Sequence, residues 1–386
     1  MGRLPYSNYQ RAFLHTLFFS LFLFVSNESY GVEFSWNGFG SLYAIQPLQS
    51  DIYLTQPETL GHTNFVDGSH LGLNVASDLG AGWSARLQLL ASGETLPVGS
   101  RPDWKLTADW FYVTYNPFEG LKLSVGRQIF PNWLVSEVID VGFLYPWRKP
   151  PRLVYSIAPF KSFNGLQVEY RHLLGGGLSV IGSLFGGNEK MSATLSDGTE
   201  VHIDINNLVG ATVVLEGDGW KVRGMLARKE EQGHAATGLF SVSGPIGRPI
   251  LSDNSAHTIA CTLGGRYDKN NIVAYAEGGI KRGSNSTIVA NTGQPFLHSQ
   301  TGGYGSVGYR LGKFLPWLMY AYGDWTLGIA GGNGKAQVKS VGVDYRLADS
   351  VVLKAQLDNQ ISENDTMGLS RTGTANTISV GLDAIF

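Results

Sequence analysis

Residues 374–386 read TANTISVGLDAIF. Counting back from the end, Phe386, Ala384, Leu382, Val380 and Ile378 alternate with Ile385, Asp383, Gly381, Ser379 and Thr377. A period of two belongs to a β-strand with two unlike faces. The decision that follows is which solvent the apolar face meets, and the rest of the chain supplies it.

The same alternation recurs along almost the whole chain. It can be followed at Phe34 to Gln46, Ser69 to Ser77, Gly82 to Ala91, Leu106 to Asn116, Leu121 to Ile129, Asn164 to Leu173, Leu178 to Phe185 and Leu208 to Glu216. It continues at Trp220 to Arg228, His257 to Asp268, Ile272 to Arg282, Gly302 to Leu311, Leu315 to Thr326, Ala336 to Leu347, Val351 to Ile361 and Ala375 to Phe386. These are about sixteen strands of roughly nine to twelve residues, a length suited to tilted strands crossing a bilayer. Short connections rich in Gly, Asn and Asp, such as NPFEG, LLGGG, EGDGW and DKNN, alternate with long ones, such as 47–68, 130–163 and 229–256. Turns at one end and loops at the other are the pattern of an outer-membrane barrel.

The faces separate by polarity. Leu353, Ala355 and Leu357 alternate with Lys354, Gln356 and Asp358; Ile272, Ala274 and Ala276 with Tyr275, Glu277 and Lys281; Leu166, Val168 and Tyr170 with Gln167, Glu169 and Arg171. Unpaired charges cannot line a packed core. The expectation is an all-β, transmembrane antiparallel β-barrel whose apolar faces meet lipid and whose polar faces line a lumen. Its last strand must close on its first, because an open edge in hydrocarbon leaves backbone groups unsatisfied. Trp36, Trp83, Phe118, Trp220, Phe314, Trp317 and Phe386 fall at strand ends on the short-turn side and read as an interfacial girdle.

Composition agrees. Of 386 residues, 16% are charged, with a net charge of −2, too balanced for a nucleic-acid partner. Fifty glycines argue against a helix-rich enzyme, and the lone Cys261 excludes an internal disulfide. Arg3 and Arg11 precede the apolar AFLHTLFFSLFLFV, then SNESYG with Ser29 and Gly31 at the −3 and −1 positions. That is the layout of a secretory signal peptide over 1–31, cleaved after Gly31, followed by the barrel over 32–386. The histidines lie mostly in loops without ligand spacing, so no metal site and no cofactor is expected.

With these strands, turns and the terminal Phe386 in place, the chain resembles a Gram-negative general porin of the sixteen-stranded, trimeric kind. The stretch VGRQIFPNWLVSEVIDVGFLYPWRKPPRLVY (125–155) resembles one found in many proteobacterial porins. It departs from the enterobacterial constriction-loop motif, so no solute preference is carried over. The resemblance implies residence in the outer membrane of a Gram-negative bacterium among its lipids and assembly as a homotrimer. It also implies recognition of Phe386 by the barrel assembly machinery and passive diffusion of small hydrophilic solutes and ions. Other readings are a barrel hydrolase, for which no local motif nominates a nucleophile and base, and an adhesin with a filled lumen. The expectation is a channel and not an enzyme.

The 130–163 loop follows the fifth strand and is far longer than a hairpin needs. Its aromatics Trp133, Phe143, Tyr145 and Trp147 favour folding into the barrel over an outer lid. The candidates for the constriction are Glu137, Asp140, Arg148, Lys149 and Arg152 on the loop, with Arg86 and Arg127 on the wall. Opposed charges there would set ion preference. Strict alternation aims Arg127 at lipid unless a bulge at Gly126 turns it inward. Further lumen-facing candidates are Lys122, Glu169, Arg171, Arg223, Glu277, Lys281, Lys354 and Asp358.

Overall fold

The computed structural model describes residues 33–50, 63–94, 103–158, 160–194, 200–235, 254–288, 295–327, 333–366 and 369–386. The expected leader, His62 and most of the loop after Lys229 lie outside the described residues. Sixteen strands follow in order: β1 (Glu33–Ser50), β2 (His70–Gly80), β3 (Trp83–Glu94), β4 (Asp103–Phe118), β5 (Leu121–Ile129), β6 (Ser162–Gly175), β7 (Leu178–Thr194) and β8 (Glu200–Gly217). The second half is β9 (Trp220–Ala235), β10 (Asn254–Lys269), β11 (Ile272–Ile288), β12 (Pro295–Tyr309), β13 (Phe314–Leu327), β14 (Asn333–Ala348), β15 (Val351–Thr366) and β16 (Leu369–Ile385).

Each strand pairs antiparallel with its sequence neighbours, and β16 pairs with β1 to close the barrel. The register runs from Phe39 opposite Ile385 to Ser50 opposite Ala375. Gly38 and Phe386 exchange two backbone hydrogen bonds, of 2.7 and 2.9 Å, at the seam. Tight turns join the strands at one end. At Asn270–Asn271 both residues have positive φ (54° and 65°), the geometry that continues the twist of a two-residue hairpin and that asparagine tolerates.

The strands are longer than the alternation suggests, up to 18 residues in β1 and β8. Beyond the hydrocarbon both faces of a strand meet water, so the pairing continues while the apolar signal stops. The same extension shortens some outer connections, leaving only 367–368 between β15 and β16.

The face assignment follows the opening alternation. On β15, Leu357 is 46% exposed on the outside while Gln356 is 7% exposed inside. On β16, Val380 and Phe386 point outward, and Thr377, Ser379 and Asp383 are enclosed. Cys261 lies on the outer face. Of the girdle aromatics, Trp36, Trp83, Phe118, Trp220, Phe314 and Phe386 are exposed. Trp317 is not among them: it is 5% exposed and donates from Nε1 to Asp344 at 3.1 Å. The period of two explains it, since Phe314 and Leu318 face out and Trp317 must therefore face in.

In a background lacking Cys261, cysteine at Leu353 or Leu357 should react with lipid-soluble reagents, and at Asp358 with water-soluble ones. Cysteine at Lys354 or Gln356 should react slowly even from the aqueous side, because both are covered from within. Labelling without a period of two would contradict the register.

Candidate functional site

After β5 the chain turns into the barrel. Apolar side chains of residues 133–157 pack on the lumen-facing side chains of β11–β13: Trp133, Tyr145, Trp147, Val154 and Ile157 meet Val273, Tyr275, Tyr304, Trp317 and Met319. Trp147 is fully enclosed, with its ring edge-on to Tyr275 (4.8 Å) and Tyr304 (5.3 Å) and its Nε1 donating to Ser306 at 3.0 Å. Burying one such ring contributes on the order of 2–3 kcal/mol. A second cluster, Phe130, Ala158 and Phe160 against Phe163, Phe185 and Met225, holds the two ends of the segment together. Its regular pieces are single turns at Ser136–Val138 and Gly142–Leu144 and a short helix α1 (Arg152–Tyr155).

Polar anchors fix the loop at three points of the inner wall. The Glu277 carboxylate accepts from the Leu134 N–H (2.6 Å), the Tyr155 hydroxyl (2.7 Å) and the Tyr304 hydroxyl (2.5 Å). Burial, and then the charge of Glu277, push the Tyr155 phenol well above its ordinary range, so it serves as a donor. Lys354 Nζ donates to the carbonyls of Gly142 (2.7 Å), Tyr145 (2.6 Å) and Trp147 (3.1 Å) and pairs with Asp383 at 2.8 Å. Residue 142 must be glycine: a Cβ there would lie 2.6 Å from the Asp383 carboxylate. Arg223 donates to the Trp133 carbonyl at 2.5 Å and grips the Glu137 carboxylate with both terminal nitrogens.

The loop thus lies against β9–β16 and leaves a cavity of about 890 Å³ against β1–β6. Arg86, Lys122 and Glu169 line its wall, and Glu137, Val138, Val141 and Leu144 line its loop side. Lys122 and Glu169 are 3.9 Å apart. Burial pushes the Glu137 carboxyl up, but Arg223, aided by Lys221, outweighs it and holds the group below the usual carboxylate range.

The other charges expected at the constriction are placed elsewhere. Asp140, three residues beyond Glu137, turns away from the cavity and binds Lys161 at 2.6 Å. Burial would raise its carboxyl, and Lys161 holds it below the ordinary range. His70 sits against its backbone, with Nε2 2.5 Å from the Asp140 carbonyl and Nδ1 3.1 Å from that of Gly68. Arg148 and Lys149 both reach Asp67, at 3.2 and 2.8 Å, and so tie the loop to the β1–β2 connection. Arg152 is exposed on α1.

Arg127 does not join the constriction. Gly126 has a φ of 129°, yet the pairing runs through it without a shift, and Arg127 stays on the face of Phe111 and Asn164. Its charge is met by Glu189 at 2.7 Å. Among the wall residues, Arg171 pairs with Glu216 at 2.8 Å. Lys281 is enclosed, and Asp358 accepts from Ser340 and Gln356. Lys161, Asp67 and Asp383 are partners that the sequence reading does not single out, although alternation places Asp383 on the polar face.

No family model matches the chain, and no curated protein does. Solved structures do. The outer-membrane expressed OmpT of Vibrio cholerae aligns over 93% of this chain and 99% of its own, with a TM-score of 0.60 at 11% identity. The outer membrane channel DcaP of Acinetobacter baumannii aligns over 93% and 99%, with a TM-score of 0.59 at 14% identity. An anion-selective porin from Comamonas acidovorans aligns over 92% and 100%, with a TM-score of 0.53 at 14% identity. The likeness is one of fold, the closed sixteen-stranded barrel of outer-membrane proteins and porins.

Proposed function

We propose that this protein is a passive diffusion channel of the outer membrane of a Gram-negative bacterium, for small hydrophilic solutes and ions. The observation that carries the reading is the loop anchored across the lumen, which leaves a cavity with Arg86, Lys122 and Glu169 on one side and Glu137 on the other. A barrel of this size is otherwise wide enough for an aqueous channel. Two of the structural neighbours are an outer membrane channel and an anion-selective porin, which supports the same reading. Assembly as a homotrimer and recognition of Phe386 by the assembly machinery follow from the resemblance, removal of residues 1–31 follows from the signal-peptide layout, and all three belong to the proposal.

Purified protein in a planar bilayer should give discrete current steps, grouped in threes. Absence of steps from folded protein, together with hydrolytic activity, would overturn the reading. The Glu137–Arg223 pair sets the expected selectivity. Glu137→Gln should shift ion preference toward anions, since it leaves the Arg223 charge unopposed, and Arg223→Gln should shift it toward cations. Both shifts should be largest at low salt, where screening is weak.

The pH dependence has a definite sign. With its carboxyl held low, wild-type Glu137 stays ionised at neutral pH, so its contribution to selectivity should change only as pH falls through the depressed value. In Arg223→Gln the main restraining charge is gone, and Lys221 is the charge left to oppose the effect of burial. Its titration should then move to higher pH, read as reversal potential against pH.

A further inference from the structure

The two sides of the cavity differ in chemistry. On the wall, the β3–β4 register sets Gln88 opposite Trp110 and Arg86 opposite Tyr112. All four line the cavity. The Arg86 guanidinium adjoins the Tyr112 hydroxyl and is exposed to the lumen. Gln88 Nε2 and Trp110 Nε1 are enclosed N–H donors with no acceptor among the described residues, and Gln88 is 1% exposed. Native proteins rarely leave such donors unmatched, so two side by side on a cavity wall mark a place where an acceptor belongs. Lys122, further along the wall and 3.9 Å from Glu169, lines the same cavity. Across the gap the acid is already occupied, because Glu137 is bound by Arg223.

The rest of the loop side is apolar. Val138, Val141 and Leu144 face the same space, and Leu144 is 45% exposed. A channel that only passes hydrated ions has no use for exposed aliphatic groups beside its charged wall. A solute with an apolar body would cover them.

We infer that the cavity is a binding site for small monocarboxylates with an apolar body: the carboxylate lies on Arg86 and the neighbouring N–H donors, and the body lies on Val138, Val141 and Leu144. A planar monoanion suits one guanidinium, which can meet both carboxylate oxygens at once. A second negative charge would run into Glu169. This inference rests on the diffusion-channel reading and names the class of solute the channel favours.

The test uses the full-length protein in a planar bilayer at low salt, with benzoate, acetate and benzyl alcohol as probes. Benzoate should interrupt the chloride current at a half-blocking concentration about tenfold below that of acetate. Benzyl alcohol, with the same body and no charge, should not block. Arg86→Gln should raise the half-blocking benzoate concentration about tenfold, the worth of a charged hydrogen bond, and Arg86→Lys should raise it less. Leu144→Asn should bring benzoate and acetate close to each other. Equal block by benzoate and acetate in the wild type, or wild-type block in Arg86→Gln, would overturn the inference while leaving the channel intact. Folded protein with no chloride current would remove the channel reading and this inference with it.

Discussion

Lys354→Met should produce a larger, noisier single-channel current and a clear loss of stability. The ammonium is enclosed between the β15 wall and the loop, where it serves three loop carbonyls and the Asp383 carboxylate. Removing one partner of a buried ion pair costs about 3–5 kcal/mol, because the other charge is left stranded. Tyr43 still donates to Asp383 at 2.8 Å, which places the expected loss toward the lower end of that range. The β15 ladder and its outer face are untouched, so the loss comes from the freed loop and from the stranded Asp383 on the β16 wall. Thermal unfolding in detergent reads the stability and conductance the loop. Adding Asp383→Leu should recover much of the stability by removing the stranded charge. It should leave the current high, because the three carbonyls still lack a donor. A quiet, wild-type current in Lys354→Met would mean that the loop does not depend on this anchor.

Excision of 133–157, with a short Gly-Ser bridge in its place, should have the largest effect on permeation. The loop fills the β9–β16 side of the lumen, so its removal should raise conductance severalfold and admit larger sugars in liposome swelling. Ion preference should weaken at the same time. Charges now on opposite walls of an open lumen would lie about a Debye length or more from a central ion at 0.1 M salt, where screening removes most of their influence. A correctly folded deletion with unaltered conductance would place the constriction elsewhere.

The barrel was legible because lipid and water impose opposite demands on successive residues. Leu353 and Lys354 could not share a face, and that constraint repeated along β15 names both solvents. The same rule places Trp317 inside, whereas its position at a strand end alone suggests the girdle. What alternation cannot express is which lumen charges meet. Arg223 and Glu137 are 86 residues apart. Lys354 reaches carbonyls more than 200 residues away. Such partners follow from how the loop crosses the lumen, which depends on aromatic packing that has no period. Glu137 and Asp140 illustrate the limit: Glu137, within the single turn at Ser136–Val138, is bound to β9, and Asp140, three residues on, to Lys161. Arg127 was ambiguous for a local reason, as Gly126 permits a backbone shift that the pairing does not make.

The seam between β1 and β16 has a consequence for biogenesis. Every other strand pair joins neighbours along the chain, but this one joins segments whose contacts, such as Tyr43 to Asp383, span 340 residues. Closing so long a loop carries the largest loop-closure cost of any strand pairing in the barrel. A chain stopped a few residues short would not be a slightly smaller pore. It would be an unfinished sheet with two raw edges, unable to enter hydrocarbon and primed to pair with other chains. Completion is therefore a single late event, and it doubles as proofreading, because only a full-length product can shut.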